Sequence, residues 1–334
     1  MRQEISAIRV TSHPAKSAAA AIFLAGLLAI VPSLHAQVVN STQNPLQLAL
    51  LHWDSANQVP TQFGVADFPA GLAFDGESIW VATNNSVYKL RGNDGSILGT
   101  FALGGQPTGI AYDGANIWVS QLLNNTVTKL RGSDGVCVGN CTFSVGRNPY
   151  GVAFDGTDIW VANSSDSPGT VTKLRASDGT NLGTFTVGSA PYFVAIDGAN
   201  IWVSNFFSNS VTKLRASDGA NLGTFAVGNN PLGLAFDGTN IWVANKSDNT
   251  VTKLRASTGV RLGTFSASGG PYALAYDGAN IWVTGYGNNT LLKLRASDGK
   301  TLSTFPAGSG PNAIAFDGAN IWVANFGGNT VSKF

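Results

Sequence analysis

The chain has 334 residues, 40 of them Gly, with 12% charged residues and a formal net charge of +1. So even a balance provides no basic field for nucleic acid or for an anionic membrane surface. Three His and two Cys leave little material for a metal or redox centre of those residues.

The chain opens with Arg2, Arg9 and Lys16, followed by an apolar run from Ser17 to Val31 and by Ser33-Leu34-His35-Ala36 before Gln37. A basic region, an apolar region and small residues in that order read as a secretory signal peptide over 1–36. The run is short for a membrane-spanning helix; an uncleaved N-terminal anchor is the alternative. Removing 1–36 leaves 17 Lys plus Arg against 18 Asp plus Glu, a net charge of −1. The mature protein is expected to be exported, periplasmic or extracellular, with no membrane association after cleavage. Residues 37–60 form a lead-in rich in Gln, Asn and Ser, with one apolar patch from Leu46 to Trp53. It is expected to lie on the outside of the domain that follows.

From residue 61 the chain is periodic. Trp80, Trp118, Trp160, Trp202, Trp242, Trp282 and Trp322 recur at steps of 38, 42, 42, 40, 40 and 40, each inside Ile-Trp-Val. A period of this length is the signature of a repeat architecture. Within one repeat, Pro191 to Ile196, Ile201 to Ser204, Ser210 to Arg215 and Leu222 to Val227 are β-branched or aromatic runs, designated strands a, b, c and d. Asp-Gly and Asn punctuate them, as tight turns require. No 3.6-residue apolar period appears, so no helix is expected. Four short antiparallel strands per repeat make one blade of a β-propeller, with the seven Trp packed between blades.

Counting strands predicts how the ring closes. There are seven a, b and c strands but only six d strands after them, because the chain stops at Phe334. Thr61-Gln62-Phe63-Gly64-Val65 has the pattern of the missing strand. It is expected to pair beside Val331 and close the last blade, so that two sheet edges disappear. The fold class is therefore all-β: a seven-bladed propeller of four-stranded antiparallel blades over 61–334, expected to be a monomer.

Cys137 and Cys141 fall in the c–d turn of the second blade, which is two residues longer than its counterparts. In an oxidising compartment this placement makes them a disulfide candidate. The Cys-x-x-x-Cys spacing is not that of a Cys-x-x-Cys redox motif.

Three sets of polar residues invite a functional reading. The Asp of the a–b turns (Asp75 and its counterparts) each precede Gly, so turn chemistry explains them without a metal. The repeated Lys-Leu-Arg of strand c, as in Lys213-Leu214-Arg215, is expected to be a solvated outer strand whose charges discourage edge pairing. Beyond the signal segment only His52 and Glu77 remain of those two residue types. No metal site, cofactor or catalytic residue is expected from them.

Variation between repeats is more informative. The a–b and c–d turns are short and uniform. On the opposite face the b–c loops carry Leu122-Leu123, Phe206-Phe207, Lys246, Tyr286 and Phe326, and the residue after the d–a proline is Tyr150, Tyr192 or Tyr272 in three blades. Large apolar side chains on loops either plug the channel mouth or meet a ligand. The candidate binding residues are therefore Tyr150, Tyr192, Tyr272, Phe206, Phe207, Tyr286 and Phe326, facing a protein, peptide or glycan.

The unit Pro-x-Gly-x-Ala-Phe-Asp-Gly-x-Asn-Ile-Trp-Val-Ala-Asn resembles repeats of bacterial YVTN and NHL-type propellers and of virginiamycin B lyase-like proteins. The resemblance covers about 61–334 and implies seven blades. It also implies, for the lyase, a His and a Glu acting with magnesium on the loop-rich face. The His would fall where this chain has Tyr150, Tyr192, Leu232 or Tyr272, and the Glu where it has Asn163, Asn205, Asn245 or Asn325. None can act as both metal ligand and general base, so no catalytic residue carries over. The expectation is a non-enzymatic binding propeller. A lyase-like or hydrolytic enzyme and a structural envelope module are the alternatives.

Overall fold

The computed structural model describes residues 61–137 and 139–334. The segments expected to be a signal peptide (1–36) and a lead-in (37–60) fall outside them. The described residues form 28 strands and no helix, arranged as seven four-stranded antiparallel sheets. Six blades run a-b-c-d in chain order. The seventh takes β26 (Pro311–Phe316), β27 (Ile321–Asn325), β28 (Thr330–Lys333) and, as its outermost strand, β1 (Thr61–Gly64) from the other end. Phe63 stands opposite Val331 in that pairing. The one-plus-three closure expected from the strand count is the closure observed.

Each blade buries its tryptophan against the next. Trp160 and Val171 of blade three pack on Ile201, Val203 and Leu214 of blade four. Trp322 of blade seven meets Ile79, Val81 and Leu90 of blade one, which joins the chain ends through core as well as through β1. The strand-d phenylalanine covers the other side of the indole: Phe185 lies 5.5 Å from Trp160 and Phe63 5.6 Å from Trp322. Beneath these rings run the c–d turns. Gly95 has φ +68°, and a Cβ there would lie 2.3 Å from the Phe63 ring, so glycine is required by both backbone and space.

Polar groups lock the same tryptophan. In all seven blades the indole N–H donates to the a–b turn aspartate at 2.7–2.9 Å, as from Trp202 to Asp197. The other carboxylate oxygen accepts turn amides, as Asp75 does from Glu77 and Ser78. Over each ring, at 4.6–5.2 Å from its centroid, lies the lysine of strand c. Six of these lysines reach a carbonyl of the following blade at 2.7 Å, as Lys213 reaches Ala256. The seventh, Lys293, faces Asp277 at 3.9 Å, because blade seven has no c–d turn.

This corrects the expectation for Lys-Leu-Arg. Strand c is the third strand, not the edge, and its lysine is an interblade cation; Lys173, Lys213 and Lys253 are buried. Five of the six arginines are exposed beside an aspartate of their own turn, as Arg215 is beside Asp218 at 2.8 Å. Such exposed pairs contribute little. Cys137 and Cys141 are bonded to each other across the enlarged c–d turn of blade two, with Cα atoms 5.7 Å apart.

Two outcomes test this packing. Phe63→Ala removes the ring covering Trp322 and the side chain that anchors the closing strand. It should destabilise the protein by about 3 kcal/mol, read as a lower denaturant midpoint. The second concerns acid. Burial alone would raise the Asp75, Asp237, Asp277 and Asp317 carboxyls, but the indole and turn hydrogen bonds hold them below the ordinary value of 3.8. A depressed folded value contributes stability that is present above 3.8 and is lost as pH falls through it. Denaturant melts should therefore be steady around neutral pH and drop steeply only below about pH 4.

Candidate functional site

The loop-rich face is built by one repeated device. Asn125, Asn209, Asn249, Asn289 and Asn329 end the b–c turns with φ between 50° and 57°, a conformation asparagine adopts more readily than most residues. Each side-chain oxygen then accepts an amide from the adjoining d–a loop, as Asn209 does from Asn230 at 3.0 Å. Asn329 accepts from Phe68 and so carries the pattern across the chain ends. The two loop types that vary in sequence are thereby held side by side.

On that frame six of the seven candidate aromatics come together. Tyr150 stands edge-on to Tyr192 at 4.9 Å; Tyr192 meets Phe206 at 5.3 Å, and Phe206 meets Phe207 at 5.1 Å. Tyr272 lies 5.6 Å from Tyr286. The hydroxyls of Tyr150, from blade three, and Tyr272, from blade six, are hydrogen-bonded at 2.8 Å. Phe326 is not part of this set of ring contacts; it pairs with Phe68 of the adjoining d–a loop at 4.9 Å.

A residue not among the candidates ties the two halves together. Phe193 is in edge contact with Tyr150 at 5.6 Å and with Tyr272 at 6.0 Å. Other blades place Gly71, Gly109, Gly151, Gly233, Ala273 or Ala313 at its position. The innermost strands approach closely there: a Cβ on Gly109 would lie 2.0 Å from the carbonyl oxygen of Tyr150. A phenylalanine where six blades carry Gly or Ala was a legible signal in the aligned repeats. Alignment by the residue after proline passed it over by one position.

Below these rings is a cavity of about 140 Å³ lined by strand-a residues from all seven blades, with Tyr150 and Phe193 among them. The innermost aromatics therefore do cap the central channel. The outer members do not: Phe207 is 69% exposed, and on blade two Leu123 is 66% exposed. The set grades from a plugged centre to an exposed apolar shelf.

Burial raises the Tyr150 and Tyr272 hydroxyls above the ordinary 10.0; the neighbouring Tyr150 hydroxyl raises Tyr272 further. Burial also raises Tyr192. These phenols stay protonated across the physiological range and act as neutral donors and acceptors.

The positions that the lyase resemblance assigned to glutamate have another use here. Asn163, Asn205, Asn245 and Asn325 are fully buried, and each donates its amide to two strand-c hydroxyls, as Asn205 does to Ser210 and Thr212 at 3.1 and 2.9 Å. Among the described residues, no group of three or more His, Cys, Asp or Glu is gathered as a metal site would require.

Fold and site define the chain as a seven-bladed β-propeller with an aromatic loop face. Virginiamycin B lyase from Staphylococcus aureus is similar, with a TM-score of 0.70 and 18% identity over 82% of this chain and 98% of that chain. A chain of Kuenenia stuttgartiensis hydrazine synthase gives 0.72 and 18% over 81% and 96%. A structure of U3-55K gives 0.72 and 12% over 81% and 96%. At such identities the likeness is one of fold, shared by proteins of unlike function. No protein-family model and no curated protein matches the sequence.

The buried phenols give a test. A group whose folded value is raised contributes stability that is present below 10.0 and is lost as pH rises through the folded value. In an ultraviolet titration, part of the tyrosine absorbance should ionise only above 10 or on unfolding, and Tyr150→Phe with Tyr272→Phe should shrink that late fraction to the contribution of Tyr192.

Proposed function

We propose that this is an exported, non-enzymatic propeller that binds a protein, peptide or glycan on its b–c and d–a face. The observation that carries the reading is the unbroken run of ring contacts from Tyr150 through Tyr192 and Phe206 to the exposed Phe207. A buried aromatic root with an exposed tip presents a rigid apolar surface at little entropic cost. Sugar faces and apolar peptide side chains are the ligands such a surface fits. The signal-like N-terminus and the Cys137–Cys141 bond favour an oxidising compartment outside the cytoplasm.

A lyase-like enzyme is the second reading, favoured by the shared fold of virginiamycin B lyase, one structure of which is a catalytically inactive variant with quinupristin. Among the described residues there is no His, and the one Glu, Glu77, lies in an a–b turn on the opposite face, which weighs against it.

Pull-downs from periplasmic and culture-medium extracts, with a glycan array alongside, would identify the ligand. Tyr192→Ala combined with Phe207→Ala should abolish its binding while leaving the thermal midpoint within a few degrees. Retained binding would exclude this face. Turnover of quinupristin that EDTA abolishes would replace the binding reading with the enzymatic one.

A further inference from the structure

Resting on the reading of this face as a binding surface, the geometry points to a carboxylate subsite at Lys246, beside the rings of Tyr272 and Tyr286. Lys246 is the single lysine on the b–c loops. Its Nζ lies 5.5 Å from the centroids of both Tyr272 and Tyr286. The strand-c lysines over the tryptophans also face a carbonyl or a carboxylate, but Lys246 has neither within bonding distance among the described residues. Its three N–H donors are therefore uncommitted. The nearest acidic side chain in sequence, Asp248, has both oxygens taken by Asn229 at 2.7 Å.

The backbone fixes this lysine between the two aromatic groups. Its amide donates to the carbonyl of Asn230 at 3.2 Å, and the Asn230 side-chain amide donates to the carbonyl of Phe206 at 3.3 Å. Phe206 and Phe207 of blade four thus lie on one side and Tyr272 and Tyr286 of blade six on the other. A cation held over two rings and left without a carbonyl or carboxylate partner suits an oxyanion, and charge-assisted contacts of this kind are the strong ones. A single lysine matches the one charge of a carboxylate better than the nearly two of a phosphate monoester. The apolar body of such a ligand would lie along Phe206 and Phe207.

Calorimetric titration of the folded, signal-cleaved protein with 3-phenylpropionate and with its uncharged amide, 3-phenylpropanamide, tests this. The acid should bind at least about tenfold more tightly than the amide. Lys246→Met should bring the acid down to the amide, Lys246→Arg should keep the preference, and added salt should weaken the acid alone. Equal affinities for acid and amide, both weakened by Phe207→Ala, would overturn the carboxylate subsite and leave the aromatic face standing. A preference unchanged in Lys246→Met would overturn it as well. Binding of neither probe overturns the subsite, while the wider reading still stands or falls on the pull-down.

Discussion

The structure depends on how each blade fixes one tryptophan. The indole N–H is held by the aspartate of its own a–b turn, as Trp242 is by Asp237 at 2.8 Å. One ring face is covered by a lysine whose ammonium continues to the next blade, as Lys253 does to Ala296 at 2.7 Å. A buried Trp needs a partner for its N–H, and a buried Lys needs either a counter-charge or acceptors. Here the turn carboxylate serves the indole and the next blade's carbonyl serves the ammonium, and in blades one, four and six the same carboxylate also lies 3.4–3.9 Å from the lysine. Because the lysine carbonyl contact crosses a blade boundary, the device that satisfies one repeat also sets its angle to the next. Repeated around the ring, it needs a partner for the last blade, and β1 (Thr61–Gly64) with Phe63 supplies the strand and the covering ring.

That regularity frees the opposite face to vary. In five blades the asparagine at the end of the b–c turn ties it to the adjoining d–a loop, whatever residues occupy the loop tips. The tips can then carry Phe206-Phe207, Lys246 or Tyr286 with no penalty to the blades. Blade four departs most, placing Phe193 where the others have Gly or Ala. Its ring wedges Tyr150 and Tyr272 together above the central cavity. The result is a centre filled by rings and a rim with exposed aromatic area; on the proposed binding reading, this favours shallow recognition of an extended or flat-faced molecule.

Much of this was legible in the repeats. The Ile-Trp-Val ruler located every blade and exposed the displaced strand, because a missing d strand at one end and a spare one at the other admit one closure. Aromatics at Tyr150, Tyr192, Tyr272, Phe206 and Phe207 stood out against uniform neighbours. One reading failed. Lys-Leu-Arg looked like a solvated edge because charge in a strand usually marks solvent, and only the neighbouring blade reveals carbonyls waiting for the ammonium. Phe326, also a binding candidate, pairs with Phe68, which reaches it through closure of the ring.

Sequence by itself determined the number of blades, the strand order and the closure, since those follow from period, turn chemistry and strand count, all of which are local. Tertiary structure decided which side chains meet across the axis. Tyr150 and Tyr272 lie 122 residues apart and share a hydrogen bond because curvature of the ring brings blades three and six together over the channel. No local pattern encodes that distance. It is set by the interblade angle, and hence by the packing of tryptophan, aspartate and lysine between adjacent sheets.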